Sequence, residues 1–160
     1  MASRSRTRPD ALSAGWLAAI VESSEDAIVS KSLDGIVRSW NPAAEELFGY
    51  AADEMVGRPI SILAAPGREK EMPEILERVR RGEKIDHYET VRRRKDGSLV
   101  HVSLTISPIY DHAGRIVGAS KIARDITERN RAEAALRDSE QRFRILANTV
   151  PDMVWTADPD

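Results

Sequence analysis

"DGIVRSWNPAAEELFGY", residues 34–50, sets a turn, a strand and a capped helix one after another. Asp34-Gly35 reads as a hairpin turn, because the turn needs a positive φ that glycine adopts without steric cost. Ile36 to Trp40 is a short apolar strand. Asn41 is then a natural N-cap, Pro42 suits the first helical position, and Gly49 suits the left-handed position after the last turn. Between these punctuation marks, Ala44, Leu47 and Phe48 fall on one side.

Working outward, Ala27 to Ser30 is the strand that the Asp-Gly turn returns to. In front of it, Leu12, Trp16 and Ile20 recur at helical spacing, with Leu17 and Val21 beside them. This spacing predicts an amphipathic helix over 10–24, after a small, basic and disordered segment over 1–9. Downstream, Asp53 to Val56 is a short turn ended by Gly57, and "ILAAPG" (62–67) is loop-like. Met72, Ile75, Leu76 and Val79 stand at i, i+3, i+4 and i+7, which predicts a surface helix stopping at Gly82. Ile85 to Arg94 then meets a second Asp-Gly turn. In the return strand, Leu99 to Tyr110, Val100, Val102, Leu104 and Ile106 alternate with polar residues, so one face is buried. "DHAGR" (111–115) turns the chain into a last strand from Ile116. The order predicts an antiparallel α+β domain over 25–126.

Composition narrows the function classes. A chain of 160 residues holds one domain with extensions. A hydrophobic share of 41% beside 31% charged residues describes a globular chain rather than a disordered one. With a net charge of −2 there is no general attraction to nucleic acid, and none is expected as a partner. The absence of cysteine excludes disulfides, thiolate metal sites, thiol nucleophiles and cysteinyl adducts. No stretch approaches the roughly 18 apolar residues of a membrane span, and no signal-peptide core follows the basic start. A cytoplasmic location is expected.

The chain also repeats itself. "LAAIVESSEDAIVSKSLD" (17–34) can be laid on "FRILANTVPDMVWTADPD" (143–160) at constant offset. Asp26 meets Asp152, Ile28 meets Val154 and Asp34 meets Asp160. The expectation is that residues 148–160 open a second copy of the same domain.

Three segments now carry a family resemblance: "DGIVRSWNPAAEELFGYAADEMVGRPI", "VRRRKDGSLVHVSLTISPIYDHAGRIVGASKIARDITER" and the truncated repeat. Together they resemble a PAS domain of the kind found in tandem in bacterial sensor proteins. The resemblance implies a five-stranded antiparallel sheet in the order 2-1-5-4-3, with helices over one face. It also implies a sensing or docking role in sensor histidine kinases, diguanylate cyclases and related proteins.

The family's cofactor chemistry is tested residue by residue. In the flavin-binding, light-sensing branch an asparagine and a reactive cysteine follow the glycine of "GR". Here the run is Gly57-Arg58-Pro59-Ile60, so the photoreactive position is Ile60. The positions of the flavin-holding amides are Arg92, Val102 and Ala123. A haem of the helix-histidine type needs an imidazole on the long helix, and residues 68–81 contain none. His87, His101 and His112 are scattered, without metal-ligand spacing, and read as surface or strand residues. No catalytic triad, P-loop or dinucleotide fingerprint appears, so the chain is not expected to be an enzyme itself. No cofactor and no metal is predicted. An unknown small ligand has a candidate pocket lined by Ile28, Trp40, Met55, Ile62, Ile75, Leu104, Ile106 and Ile122. The alternative is that these residues simply fill a core. "RRRK" (92–95) reads as a solvated hairpin rather than a phosphate grip.

The last feature is "DITERNRAEAALRDSEQRF" (125–143). Asp125 and Glu128 have capping-box spacing, so Asp125, Ile126, Thr127 and Glu128 are the expected coupling between the last strand and a linker helix over 127–147. Leu136 and Phe143 are seven apart, and Ala132 is four before Leu136, which gives a thin coiled-coil stripe interrupted at Ser139. A thin stripe is better buried by a second copy than alone. A homodimer is therefore expected, through Ala132, Leu136 and Phe143 in the linker and Leu12, Trp16 and Ile20 in the first helix. A monomeric linker is the alternative.

The function expected is a sensory input module that reports a small ligand or partner state through a dimeric coil. Downstream stand further PAS and effector domains of the same parent chain. The first choice of effector is a histidine kinase of a two-component system, and a diguanylate cyclase comes second. Two rivals remain at this point: a ligand-free dimerisation or docking scaffold, and a flavin-bearing redox sensor.

Overall fold

Strand pairing follows the punctuation of the sequence. The structure, a computed structural model, describes residues 11–149, and the side chains of residues 14–147. The expected segment over 1–9, the side chain of Leu12 and the expected second domain over 148–160 lie outside what is described for side chains or backbone. The chain divides into two units, the first ending at Asp125 and the second starting at Ile126.

In the first unit, α1 (Ala11–Ser23) precedes β1 (Ala27–Ser32) and β2 (Val37–Trp40). Three short helices follow: α2 (Pro42–Phe48), α3 (Ala52–Met55) and, after a 3₁₀ turn at Ile60–Leu63, α4 (Glu71–Arg80). The chain then runs through β3 (Ile85–Arg93), β4 (Leu99–Tyr110) and β5 (Ile116–Asp125). The five strands form one sheet in the order β2-β1-β5-β4-β3, and each adjacent pair is antiparallel.

The opening stretch folds as its residues dictate. Gly35 has φ +82 between β1 and β2, and its backbone N donates to Ser32 O at 3.0 Å. Asn41 caps α2 by accepting from Ala44 N, and Gly49 ends that helix at φ +80. In β4, Val100, Val102, Leu104 and Ile106 are all fully buried. Burying one such side chain contributes about 1.5–3 kcal/mol. Met72, Ile75, Leu76 and Val79 turn the apolar stripe of α4 onto the same face. The core therefore lies between one sheet face and helices α2 to α4.

Three expectations need correction. The "ILAAPG" segment is not all loop, because Ile62 and Leu63 belong to the 3₁₀ turn. Helix α1 runs from Ala11 to Ser23, where a helix over 10–24 was expected, but it is not one-sided. Ala, Gly, Trp, Leu, Ile and Val surround its axis, and Trp16, Leu17 and Ile20 are all more than half exposed. The cap position of the last helix is one residue later than expected, which removes the capping-box spacing. The carbonyl of Ile126 accepts from Asn130 N at 2.9 Å, which makes Ile126 the cap position and moves Glu128 from the third helical position to the second.

The second unit is α5 (Thr127–Thr149), 23 residues or about 35 Å long. Its ion pairs follow helical spacing, Arg129 with Glu133 at 3.8 Å and Arg142 with Asp138 at 3.2 Å. Leu136, Phe143, Ile145 and Leu146 are its exposed large apolar residues, at 61–74%.

Candidate functional site

The interior between sheet and helices was the expected pocket, and six of its eight named residues are there. Trp40, Met55, Ile75, Leu104 and Ile106 are buried, and Ile62 packs against them. Trp40 donates from Nε1 to Tyr50 O at 3.0 Å and tilts against Phe48 with ring centroids 5.5 Å apart. Ile28 and Ile122 are not in this interior. Side chains alternate across a strand, and Ala27 and Val29 of β1 and Ala123 of β5 are the core-facing residues. Ile28 and Ile122 pair directly with each other on the opposite face, where Ile122 is 41% exposed.

The same alternation brings in residues that hydrophobicity alone had passed over. Lys31 is in phase with Ala27 and Val29, and Lys121 is in phase with Ala119 and Ala123. Both lysines are inside, at 3% and 1% exposure. Arg92 of β3 joins them at 1%. The run "RRRK" is thus a solvated hairpin only in part: Arg93 and Lys95 are exposed, but Arg92 is not. Arg92 points inward, Arg94 donates from Nε to Leu47 O at 3.0 Å, and Lys95 bonds Glu54 at 2.6 Å.

One carboxylate meets this group. Glu71 of α4 accepts from Arg92 Nη1 at 2.8 Å, from Thr90 Oγ1 at 2.7 Å and from Arg68 Nη1 at 2.9 Å. Burial pushes the Glu71 carboxyl up, but the hydrogen bonds from Arg92, Thr90 and Arg68 outweigh it, and the net shift is downward. The lysines have no such partner. Burial first, and the positive charge of Arg92 second, lower Lys31 to about 8. Burial, Lys31 and Arg92 push Lys121 well below the ordinary lysine value. Lys121 Nζ sits 5.4 Å from the centre of the Phe48 ring, an attraction that replaces only part of lost hydration. Arg92 Nε is buried without a hydrogen-bond partner.

A second group sits where β5 ends. Asn41 is 2% exposed and makes four bonds. Its Oδ1 accepts from Ile28 N and Ala44 N, and its Nδ2 donates to Val21 O and Asp26 O, all at 2.9–3.0 Å. One side chain thereby joins α1, β1 and α2. Nearby, Arg124 pairs with Asp26 at 3.1 Å and Arg94 approaches Asp125 at 3.8 Å. These four charged residues, with Glu46, line an open cleft of about 250 Å³. Of the expected coupling residues, Asp125 stands in this cleft. Ile126, Thr127 and Glu128 begin the second unit. Ala132, Leu136 and Phe143 are exposed along α5, and Trp16 and Ile20 are exposed on α1.

The positions matched to flavin-holding amides carry the ion-paired Arg92 and the buried apolar Val102 and Ala123. His87 has φ +50 at a bulge between β3 and β4 and is exposed, as are His101 and His112. Among the described residues no group of three histidines or carboxylates is placed to hold a metal ion. No helix among them is long and apolar enough to cross a membrane.

This strand order, with helices closing one face over the core, defines a PAS-type domain. The PAS fold family matches residues 17–126, and the chain belongs to it. Curated relatives include two-component system protein A of Emericella nidulans, 39% identical over 104 residues. They also include the signal transduction histidine-protein kinase AtoS of Escherichia coli, 28% identical over 122 residues. These matches cover 64% and 76% of this chain but span only 15% and 20% of the relatives' lengths. Among solved structures, the PAS domain of a Colwellia psychrerythraea protein is 30% identical, with a TM-score of 0.67 over 72% of this chain and 98% of that one. An RNA-binding light-oxygen-voltage receptor is 27% identical, with a TM-score of 0.71 over 88% of this chain and 41% of that one. The chain is thus a PAS sensory domain related to signal-transduction proteins.

Proposed function

We propose that this chain is the cytoplasmic input module of a sensor histidine kinase in a two-component system. A change in its interior alters the sheet, and the altered end of β5 biases the start of α5. Two α5 helices form a parallel coil that carries the bias to a downstream PAS domain and kinase. The observation that supports this most is the continuity at Asp125, which is the last residue of β5 and stands in a charged cleft with Arg94, one residue before the cap of α5. The two-component and kinase relatives supply the class of output. The exposed stripe of Ala132, Leu136 and Phe143 supports the coil, because a helix polar on its other faces hides those residues only against a partner.

Asp125→Ala in the full-length parent tests the reading. Histidine autophosphorylation is expected to change about fivefold or more, the lower range of a coupling free energy. Unchanged autophosphorylation with an intact fold would remove Asp125 from the route.

A further inference from the structure

The interior of this domain holds three cationic side chains on three strands: Lys31 on β1, Lys121 on β5 and Arg92 on β3. They share one sheet face. Lys31 pairs with Ala119, two residues from Lys121, so the lysines are diagonal neighbours on adjacent strands. The charges that act on the two lysines are those of other cations: Arg92 acts on both, and Lys31 acts on Lys121. Glu71, from α4, is engaged with Arg92, Thr90 and Arg68. From α2 comes only the Phe48 ring, and from β4 only apolar residues such as Leu104 and Ile106. Among the described residues neither lysine donates a hydrogen bond to a protein acceptor, and Arg92 Nε has none either.

Buried ammonium groups without a counter-ion are rare because the charge is strongly disfavoured out of water. A sequence selected only for stability has an easy remedy, since replacing such a group with an apolar one of similar volume is neutral or stabilising. Two lysines and an arginine against one carboxylate leave a surplus of two positive charges when all are protonated. Donors in surplus, held on a rigid sheet, are what an anion needs.

The geometry points to a site for a small dianion, a dicarboxylate or a phosphate-type oxyanion, held by Lys31 and Lys121, which are neighbours on adjacent strands. This assignment rests on the sensory reading above and names the class of ligand sensed. Binding would favour the charged form of both lysines and raise their lowered pKa values, so the anion would arrive with net proton uptake. Glu71 keeps Arg92 in place and sets the surplus at two rather than three.

The test is calorimetric titration of the 160-residue chain at pH 7 and low salt with three separate probes: sodium succinate, inorganic phosphate and sulfate. Each is run in two buffers of different ionisation enthalpy. The expected result is saturable binding of at least one probe with Kd about 1 mM or tighter, and a heat that depends on the buffer. Lys31→Met and Lys121→Met should each weaken it about tenfold or more, equivalent to about 1.4 kcal/mol. Both variants should fold at least as stably as the parent chain in the absence of anion. Lys84→Met, on an exposed lysine, should change nothing. Binding of succinate alone assigns a dicarboxylate, and binding of phosphate or sulfate alone assigns an oxyanion. Flat titrations with all three probes overturn the site, as does undiminished binding by both methionine variants. An anion that binds without changing the parent's autophosphorylation leaves the site standing and removes the sensory reading. A flat titration beside an effective Asp125→Ala does the reverse.

Discussion

Glu71 Oε2 and Arg92 Nη1 meet at 2.8 Å, and this pair fastens α4 to the far strand of the sheet. Arg92 is almost wholly inside, and that carboxylate compensates its charge. Glu71→Ala leaves an uncompensated buried guanidinium and should cost about 3–5 kcal/mol in urea denaturation. Glu71→Leu combined with Arg92→Met should cost far less, because no charge is stranded. Equal losses in the two proteins would mean that packing, not charge compensation, sets the value of the contact.

Acid sensitivity follows from the same carboxylate. Its pKa in the folded state lies below the ordinary 4.5, so the stabilisation is present above the unfolded value and is lost as pH falls through the lower folded one. Glu71→Gln should flatten the acid limb of the stability curve, measured by urea midpoints between pH 5 and the acid transition. An unchanged limb would assign acid denaturation to other groups.

Lys31 gives the opposite limb. Its folded value of about 8 is below the ordinary 10.5, so between those values the unfolded chain binds more protons than the folded one. Stability should therefore rise as pH is raised from about 8 to about 10.5, by up to roughly 3 kcal/mol. In buffer free of dianions, Lys31→Met should remove the Lys31 share of that rise, leaving the share that comes from Lys121, and add roughly 2–3 kcal/mol at pH 7.5. Urea denaturation at pH 7.5 and pH 10 measures both effects. A parent chain as stable at the lower pH as at the higher would show that Lys31 keeps a compensated charge.

Asn41 ties three elements with four bonds, and each of its partners is left wanting if it is shortened. An N-cap is worth about 1 kcal/mol, and a buried unsatisfied group costs about 1–3 kcal/mol. Asn41→Ala should thus destabilise by about 3 kcal/mol. Asn41→Asp, which keeps the two acceptor bonds to Ile28 N and Ala44 N, should lose less. Thermal melts of both variants decide the order.

The sequence carried most of the frame in its punctuation. Asp34-Gly35, Asn41-Pro42 and Gly49 are local signals with local causes, and the alternation of Val100, Val102, Leu104 and Ile106 marks one sheet face. The charged interior was harder to see. Hydrophobicity drew Ile28 and Ile122 into the pocket, whereas strand phase puts Lys31 and Lys121 there. The phase was legible, since Lys31 follows Val29 by two and Lys121 lies two from both Ala119 and Ala123. A charged residue in core phase conflicts with the ordinary preference of charges for water, and such conflicts gather at functional sites. Arg92 had no comparable signal, because its counter-ion, Glu71, is far away in sequence and on another element.

Association is tested by equilibrium sedimentation. The chain should be a dimer at tens of micromolar, and Leu136→Asp should shift it to monomer by placing a charge in the seam. A wild-type chain that stays monomeric would dismiss the coil. A Leu136→Asp chain that stays dimeric would move the contact elsewhere, with Trp16 and Ile20 of α1 the next residues to change.

The most direct test of the central claim, that α5 carries the state of the sheet to a kinase, is autophosphorylation of the full-length parent with insertions after Arg137. Two added residues rotate everything downstream by about 200°, whereas seven restore the phase to within about 20°. The two-residue insertion should change the autophosphorylation rate about fivefold or more, and the seven-residue insertion should leave it near the wild-type rate. Identical rates for both insertions and the wild type would contradict transmission through the helix.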